Sequence, residues 1–283
     1  MMRIVFPAMG TTVDVTANSD RGIAATRQLF ENVEASCSRF LPESELTRIN
    51  DDPRIRVTLS PRMASVLHAA DHARSITDGI VDAGIGSGVL VWGYDRTFAA
   101  VADRDEGALP ERLPAPQWSI DGSVLTRSAD TRIDLGGIAK GWTCDVAVEQ
   151  GFAAVVSAGG DVRSSDAETT VEVVDPWGAA ATTIHLGVGA LATSSVSRRR
   201  WRVGAQEANH LIDPRTMSPT SSPVLSATAI TTTAVEAEAA AKAILLRGAD
   251  GLAWADRQSW ISAALVVWDD GNVYGTTGLE LAA

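Results

Sequence analysis

Stretches with strand periodicity and stretches with helix periodicity occur in groups along this chain rather than in strict alternation. That grouping is the strongest single limit on the fold. A doubly wound parallel sheet needs a helix after nearly every strand, so an α+β architecture is expected instead. Residues 11–16 alternate polar and apolar side chains, with Val13 and Val15 on one face, as a half-buried strand does. Ile23, Phe30, Val33 and Cys37 recur at helical spacing, which predicts a helix from about residue 21. Ser60-Pro61 offers an N-cap hydroxyl and a first-turn proline to a second helix, with Met63, Val66, Leu67 and Ala70 on its buried face. A third helix is expected over 138–150, followed by a short apolar run at 153–156. Strand-like stretches follow at 170–174, 182–188, 200–203 and 224–231. A good helix former over 234–247 stops at Gly248, and 261–268 with 272–276 reads as a closing hairpin around Asp270-Gly271. The charge- and proline-rich segment 96–116 has no clear period and reads as a surface excursion.

Composition narrows the function classes. With 45% apolar and 21% charged residues the chain is ordinary globular material, which excludes disorder and coiled coil. Acidic side chains outnumber basic ones 35 to 24, for a formal charge of −11. Such a surface repels phosphate backbones and anionic lipid, arguing against broad nucleic-acid or membrane-surface binding but not against a local basic pocket. No apolar run approaches the roughly 20 residues a membrane helix needs. The N-terminal residues show no signal-peptide stretch and no cysteine placed for a lipid anchor, so a soluble cytoplasmic protein without membrane insertion is expected. Cys37 and Cys144 are too few for a disulfide framework or a structural zinc site and read as two small buried thiols.

Three stretches bear on chemistry. Gly84-Ile85-Gly86-Ser87-Gly88 invites a dinucleotide-binding reading, but no helix is expected after it; a turn that lets backbone approach a ligand and a plain glycine loop remain as alternatives. Asp134-Leu135-Gly136-Gly137-Ile138-Ala139-Lys140-Gly141 is not a P-loop, since the glycine spacing differs and no Ser or Thr follows the lysine. Two glycines at a helix entrance leave N–H groups facing a ligand where the helix dipole is positive, which suits a phosphate or pyrophosphate, with Lys140 adding charge. A glycine-bounded helix start with a solvated lysine explains the same residues. The third stretch runs from Asn209-His210-Leu211-Ile212-Asp213-Pro214 to Arg215-Thr216, with His210 either catalytic or structural. Upstream, Ala192-Thr193-Ser194-Ser195 precedes Arg198-Arg199-Arg200, a local charge inversion that suits an anion or a solvated basic loop.

Taken in order, these stretches resemble the ApbE family, the FAD:protein FMN transferases. The matching residues are Met9-Gly10-Thr11; Ser38-Arg39-Phe40 through Leu46 to Asn50; Asp82-Ala83-Gly84-Ile85-Gly86 with Trp92-Gly93-Tyr94; and Asp134 to Gly141 with Asp145. They continue with Ala158-Gly159-Gly160-Asp161-Val162-Arg163, Ala192-Thr193-Ser194, and His210 to Thr216. The set is collinear over nearly the whole chain. The resemblance implies a single domain over 1–283 with a T-fold-like α+β architecture, two lobes, and a flavin cleft between them. It implies FAD as bound ligand or substrate, Mg²⁺ to assist cleavage of the FAD pyrophosphate, and FMN transfer to a Ser or Thr hydroxyl of a partner protein with release of AMP.

By the same resemblance, Met9, Phe40, Asp134, Gly136, Gly137, Lys140, Gly159, Gly160, Thr193 and Ser194 bind the cofactor. Met9 and Phe40 pack against FAD, and Lys140 and the glycine entrance hold the diphosphate. His210, with Lys140, carries the catalysis, activating the acceptor hydroxyl or positioning the phosphate. Three departures stand out. Ser195 and Met217 replace glycines of the family pattern. In the late helix, Glu238 and Lys242 stand where the family has an Asp and, four residues on, a Thr or Ser as metal ligands beside the carbonyl of Ala139. Protonated lysine has no lone pair, so Lys242, held by Glu238, is expected to take the ion's place. Weak or absent transferase activity, FAD pyrophosphatase activity, and a structural domain that has lost its ligand are the competing functions.

Overall fold

The main sheet is antiparallel, and its strands lie side by side in chain order: β1 (Met2–Ala8), β2 (Thr11–Ala17), β3 (Val155–Ala158), β4 (Asp161–Ser164), β5 (Gly189–Ser195), β6 (Val224–Thr231), β7 (Ile261–Trp268) and β8 (Val273–Gly275). The structure is a computed structural model describing residues 1–101, 103, 113–277 and 279. These divide into two compact units. Unit 1 takes Met1–Glu34, Ala139–Ser195 and the chain from Ser222 onward; unit 2 takes Ala35–Ile138 and Val196–Ser221.

In unit 1, helices α1 (Asp20–Cys37) and α2 (Ala139–Glu149) fall between β2 and β3, and α3 (Ala234–Arg247) falls between β6 and β7. Within unit 1 the sheet therefore runs two strands, two helices and two strands, then two strands, α3 and two strands. Strand alternation sends Val13, Val15, Val156, Ala158, Ala190 and Ala192 into one core, which also takes Phe30 of α1, Cys144 and Ala147 of α2, and Ala234 and Ala237 of α3. The opposite face carries Val162, Leu191 and Leu265, covered by Val173 and Ile184 of the separate hairpin Thr170–Val174 and Ala180–His185. Among the described residues no helix is long and apolar enough to cross a membrane.

The α2–α3 contact follows from residue size. Alanine lines α3, and Ala190, Ala192, Ala227 and Ala229 of β5 and β6 are fully or almost fully buried. At Gly141 an added Cβ would stand 2.9 Å from the carbonyl oxygen of Ala234 and 3.0 Å from Glu238 Oε2. Thr233 caps α3, its hydroxyl accepting from the Glu236 N–H, and Gly248 ends it at φ 59°. Asp145, in α2, accepts from the N–H groups of Ala234 (2.7 Å) and Val235 (3.0 Å), so one helix supplies the anion that completes the other's N-terminus. Arg163 Nε of β4 stands 3.3 Å from the same carboxylate.

Unit 2 holds a three-stranded sheet in which Val124–Arg127 lies between Arg56–Thr58 and Trp118–Asp121. Its helix Pro61–Ile76 begins as expected, with Ser60 accepting from the Met63 N–H. The ribbon Arg200–Val203 with Gln206–Asn209 joins Val89, Trp92, Tyr94 and Ile212 in a core against which Phe40 packs.

Most expected elements stand within a residue or two. The strand expected over 182–188 ends at His185, because the Leu186 and Gly187 N–H groups turn to the Thr169 carbonyl. The absence of a helix after Gly84-Ile85 is corrected: Gly86–Val91 is a six-residue helix. Glycine's low helix propensity is overridden by packing, since a Cβ at Gly86 would meet the Arg132 carbonyl at 2.7 Å and Val89 is buried in the unit 2 core. Ile85 at its N-terminus gives no side-chain cap, and the residues before it form a turn rather than a strand, so the dinucleotide reading gains nothing. Residues 102 and 104–112 of the excursion expected at 96–116 lie outside the described residues; the rest has no regular element except a short 3₁₀ turn at Phe98–Ala100. Both cysteines are buried free thiols, as expected.

Two outcomes follow for stability. Gly141→Ala should lower unfolding free energy by about 1–2 kcal/mol in urea titrations, because the backbone clash outweighs alanine's helix propensity. Burial pushes the Asp145 carboxyl up to about 6, against the pull of its two N–H donors and Arg163. The folded state then binds that proton more tightly than the unfolded chain, so the contribution is full below about pH 4 and lost as pH rises through about 6. Relative to the unmodified protein, Asp145→Asn should gain about 2–3 kcal/mol between about pH 4 and pH 7, read from denaturation at a series of pH values.

Candidate functional site

At one end of the unit 1 sheet two tight turns lie next to each other. Met9-Gly10 joins β1 to β2, and Gly159-Gly160 joins β3 to β4, in strands paired through Val13 and Ala158. Both turns need positive φ at both positions: 51° and 68° in the first, 63° and 108° in the second. Methionine is a costly residue in that region, so Met9 holds local strain that the surrounding sheet sustains. A Cβ at Gly159 would stand 2.6 Å from Thr11 Oγ1, which requires glycine there for space as well as for φ. The Gly160 carbonyl accepts from the Thr193 N–H at 3.1 Å, and the Thr193 hydroxyl bonds the Thr228 hydroxyl at 2.8 Å. Ser194 is buried on the neighbouring position of β5. Ser195, at one departure from the family pattern, donates to the Leu225 carbonyl.

Asp161 follows the second turn, and it anchors a buried charge cluster. Lys140 Nζ lies 2.7 Å from Asp161 Oδ2 and 3.1 Å from Glu238 Oε1. Lys242 Nζ lies 3.0 Å from the same Glu238 oxygen. Glu238 is only 2% exposed, whereas the Lys140 and Lys242 side chains keep 14% and 15%. Burial opposes the Glu238 charge, but the two ammonium groups outweigh it and hold the carboxyl below its ordinary range. Asp161, with one ammonium in contact instead of two, is pushed up by burial and by the Glu238 charge. Lys140 is raised, since its two carboxylates more than offset burial.

The expected pair of Glu238 and Lys242 is therefore present and turned into the core. The residues do not fit a divalent ion. Glu238 Oε1 is shared by two cations, and an ammonium stands where an oxygen ligand would. The Ala139 carbonyl accepts from the Thr143 hydroxyl at 2.6 Å. Among the described residues no group of three or more His, Cys, Asp or Glu side chains is placed to hold a metal.

Unit 2 carries the remaining candidates. Arg39 ties two of them together: its guanidinium stacks 4.1 Å from the Phe40 ring and 4.5 Å from the Tyr94 ring, and Nε pairs with Asp134 Oδ2 at 2.7 Å. The other Asp134 oxygen accepts from the Gly136 N–H at 2.7 Å. That donor, expected to face a phosphate, is committed to Asp134. Gly137 follows in the same turn. His210 sits at a bend after Gln206–Asn209, in a loop fastened by Asn209, whose side chain donates to the Thr220 carbonyl and accepts from the Leu211 N–H. The Asp213–Arg215 pair closes the next turn, and Met217 takes φ 54°, so the position that carries glycine in the family pattern still turns left-handed. Of the arginine triplet, Arg200 is exposed and paired with Glu207.

Sequence reasoning did not single out Asp161 as the partner of Lys140, nor Arg39 as the partner of Asp134. A lone aspartate after Gly-Gly and a lone arginine before phenylalanine carry no spacing signal. Their partners lie 21 and 95 residues away.

Known proteins share the sequence pattern and the fold of this chain. The FAD:protein FMN transferase of Vibrio cholerae is 26% identical over 301 residues, covering 94% of this chain and 87% of its own. The FAD:protein FMN transferase of Haemophilus influenzae is 25% identical over 304 residues, covering 94% and 86%. The crystal structure of the ApbE protein from Thermotoga maritima has the same fold, with a TM-score of 0.83 at 24% identity over 98% of this chain and 97% of that one. A family model described as the ApbE family matches residues 9–265, from the first strained turn to β7, and the chain belongs to that family.

Proposed function

We propose that the protein is an FAD:protein FMN transferase, moving FMN from FAD to a Ser or Thr hydroxyl of an acceptor protein. The acceptor oxygen attacks the phosphorus on the flavin side of the diphosphate, the P–O bond to the AMP half breaks, and AMP leaves with the displaced oxygen. The hydroxyl proton passes to a base, a role this reading gives to His210. Such chemistry depends more on alignment and charge neutralisation than on a covalent catalyst, which is the service that Lys140 and the turns at Met9-Gly10 and Gly159-Gly160 would provide.

One observation carries the reading. Met9-Gly10-Thr11, Gly159-Gly160-Asp161 and Thr193, far apart in sequence, meet at one end of a sheet beside a buried lysine, in a chain whose family match spans 9–265. Phe40 and Asp134, held by Arg39, and Gly136 and Gly137 are assigned to the flavin nucleotide on the same reading. Magnesium has no step in it, because the residues do not fit the ion.

Incubation with FAD and a Ser/Thr-containing acceptor should give equal amounts of AMP and protein-bound flavin. AMP without protein-bound flavin would make the protein a pyrophosphatase instead. His210→Ala should cut turnover about 10²-fold or more while FAD affinity, followed by flavin fluorescence, changes far less. Equal losses of binding and turnover would assign His210 a structural role.

A further inference from the structure

Glu238 presents an imbalance that packing alone does not explain. One of its oxygens, Oε1, meets two ammonium groups, at 3.1 Å from Lys140 and 3.0 Å from Lys242. The other, Oε2, is buried without a hydrogen-bond partner, although a carboxylate offers about four acceptor sites. An orphaned buried acceptor costs stability, and a buried charge persists only when balanced. Balance here is reached by count: Lys140 and Lys242 stand against Asp161 and Glu238. Asp161 Oδ2 and Glu238 Oε1 both meet the Lys140 nitrogen, and Lys242 meets Glu238 Oε1 from its other side. Removing Lys242 would leave two carboxylates facing one ammonium in a low-dielectric pocket, with two Glu238 oxygens turned inward.

We infer that the Lys242 ammonium is a built-in cation filling a latent divalent-cation site at Glu238, with Asp161 adding negative charge from the far side of Lys140. The tether makes the charge permanent, so no ion is recruited. Without it the site has what a small hard cation accepts: the Glu238 carboxylate with one oxygen unpartnered, and an uncompensated negative charge. A threonine at 242 would add a hydroxyl oxygen on the same helix face, one turn from Glu238. The consequence for catalysis rests on the transferase reading: FMN transfer would proceed without a metal, on fixed charge.

The test uses the full-length protein, metal-stripped and free of flavin, so its failure is distinct from any failure of FMN transfer. Mn²⁺ binding is followed by the loss of the free-ion electron spin resonance signal, and Mg²⁺ response by thermal melting. The unmodified protein should bind no Mn²⁺ below millimolar concentration, and its midpoint should be the same in EDTA and in about 10 mM Mg²⁺. Lys242→Thr should bind Mn²⁺ at least about tenfold more tightly, and its midpoint should rise by about 3 °C or more with Mg²⁺. Lys242→Gln, closer in shape but neutral, should respond in the same direction. Tight Mn²⁺ binding by the unmodified protein would overturn the inference, as would an absence of metal response in both variants. Failure of both to fold even with Mg²⁺ would overturn it too, since the ion would then be no substitute for the ammonium.

Discussion

The carboxylate of Glu238, shared between two lysines and almost closed off from water, ties together the elements on which unit 1 depends. Lys140 comes from α2, Asp161 from β4, and Glu238 and Lys242 from α3. The packing around them is built from glycine and alanine, which lets backbones approach but offers few large side chains to interlock. Alanine sliding on alanine loses little. A buried charge sliding away from its partner loses much more, because water cannot replace the contact. The polar cluster thus sets the register that the small residues leave loose, and Asp145 at the N-terminus of α3 adds a second fixed point.

The same end of the sheet stores conformational cost. Met9 is held at positive φ between strands whose pairing continues on both sides of the turn, so the ladder sustains what the methionine alone would relax. Gly159 is confined by Thr11 and Gly160 by Thr193, which leaves the two turns little freedom relative to each other.

In unit 2 the organising residue is Arg39. A guanidinium is planar, so it can stack on the Phe40 and Tyr94 rings while its edge pairs with Asp134 and donates to the Tyr94 carbonyl at 2.6 Å. Lysine could not satisfy all of these contacts. Asp134 in turn orders the Gly136 turn, so an aromatic ring and a glycine turn, separated by almost a hundred residues, answer to one side chain.

Local signals were enough to determine several of the elements. The Ser60-Pro61 start, the Gly248 stop, the 3.6-residue spacing in α1 and the alternation in β2 each act over a few residues, and the structure has them in place. The ordered set of short motifs was enough to name the family, and the four-residue spacing of Glu238 and Lys242 to pair them. What depends on distant residues was decided by tertiary structure alone. The helix at Gly86–Val91 forms against propensity because Arg132 and the unit 2 core receive it. The glycine entrance at 136 turns its N–H to Asp134 because Arg39 fixes that carboxylate from the far end of the unit's sequence. Whether Lys242 lay on a solvated face or in the core was likewise set by the close approach at Gly141 and by Asp161 arriving from another strand. Sequence spacing records neighbours along one helix, whereas a charge balance depends on every chain segment that converges on the same point.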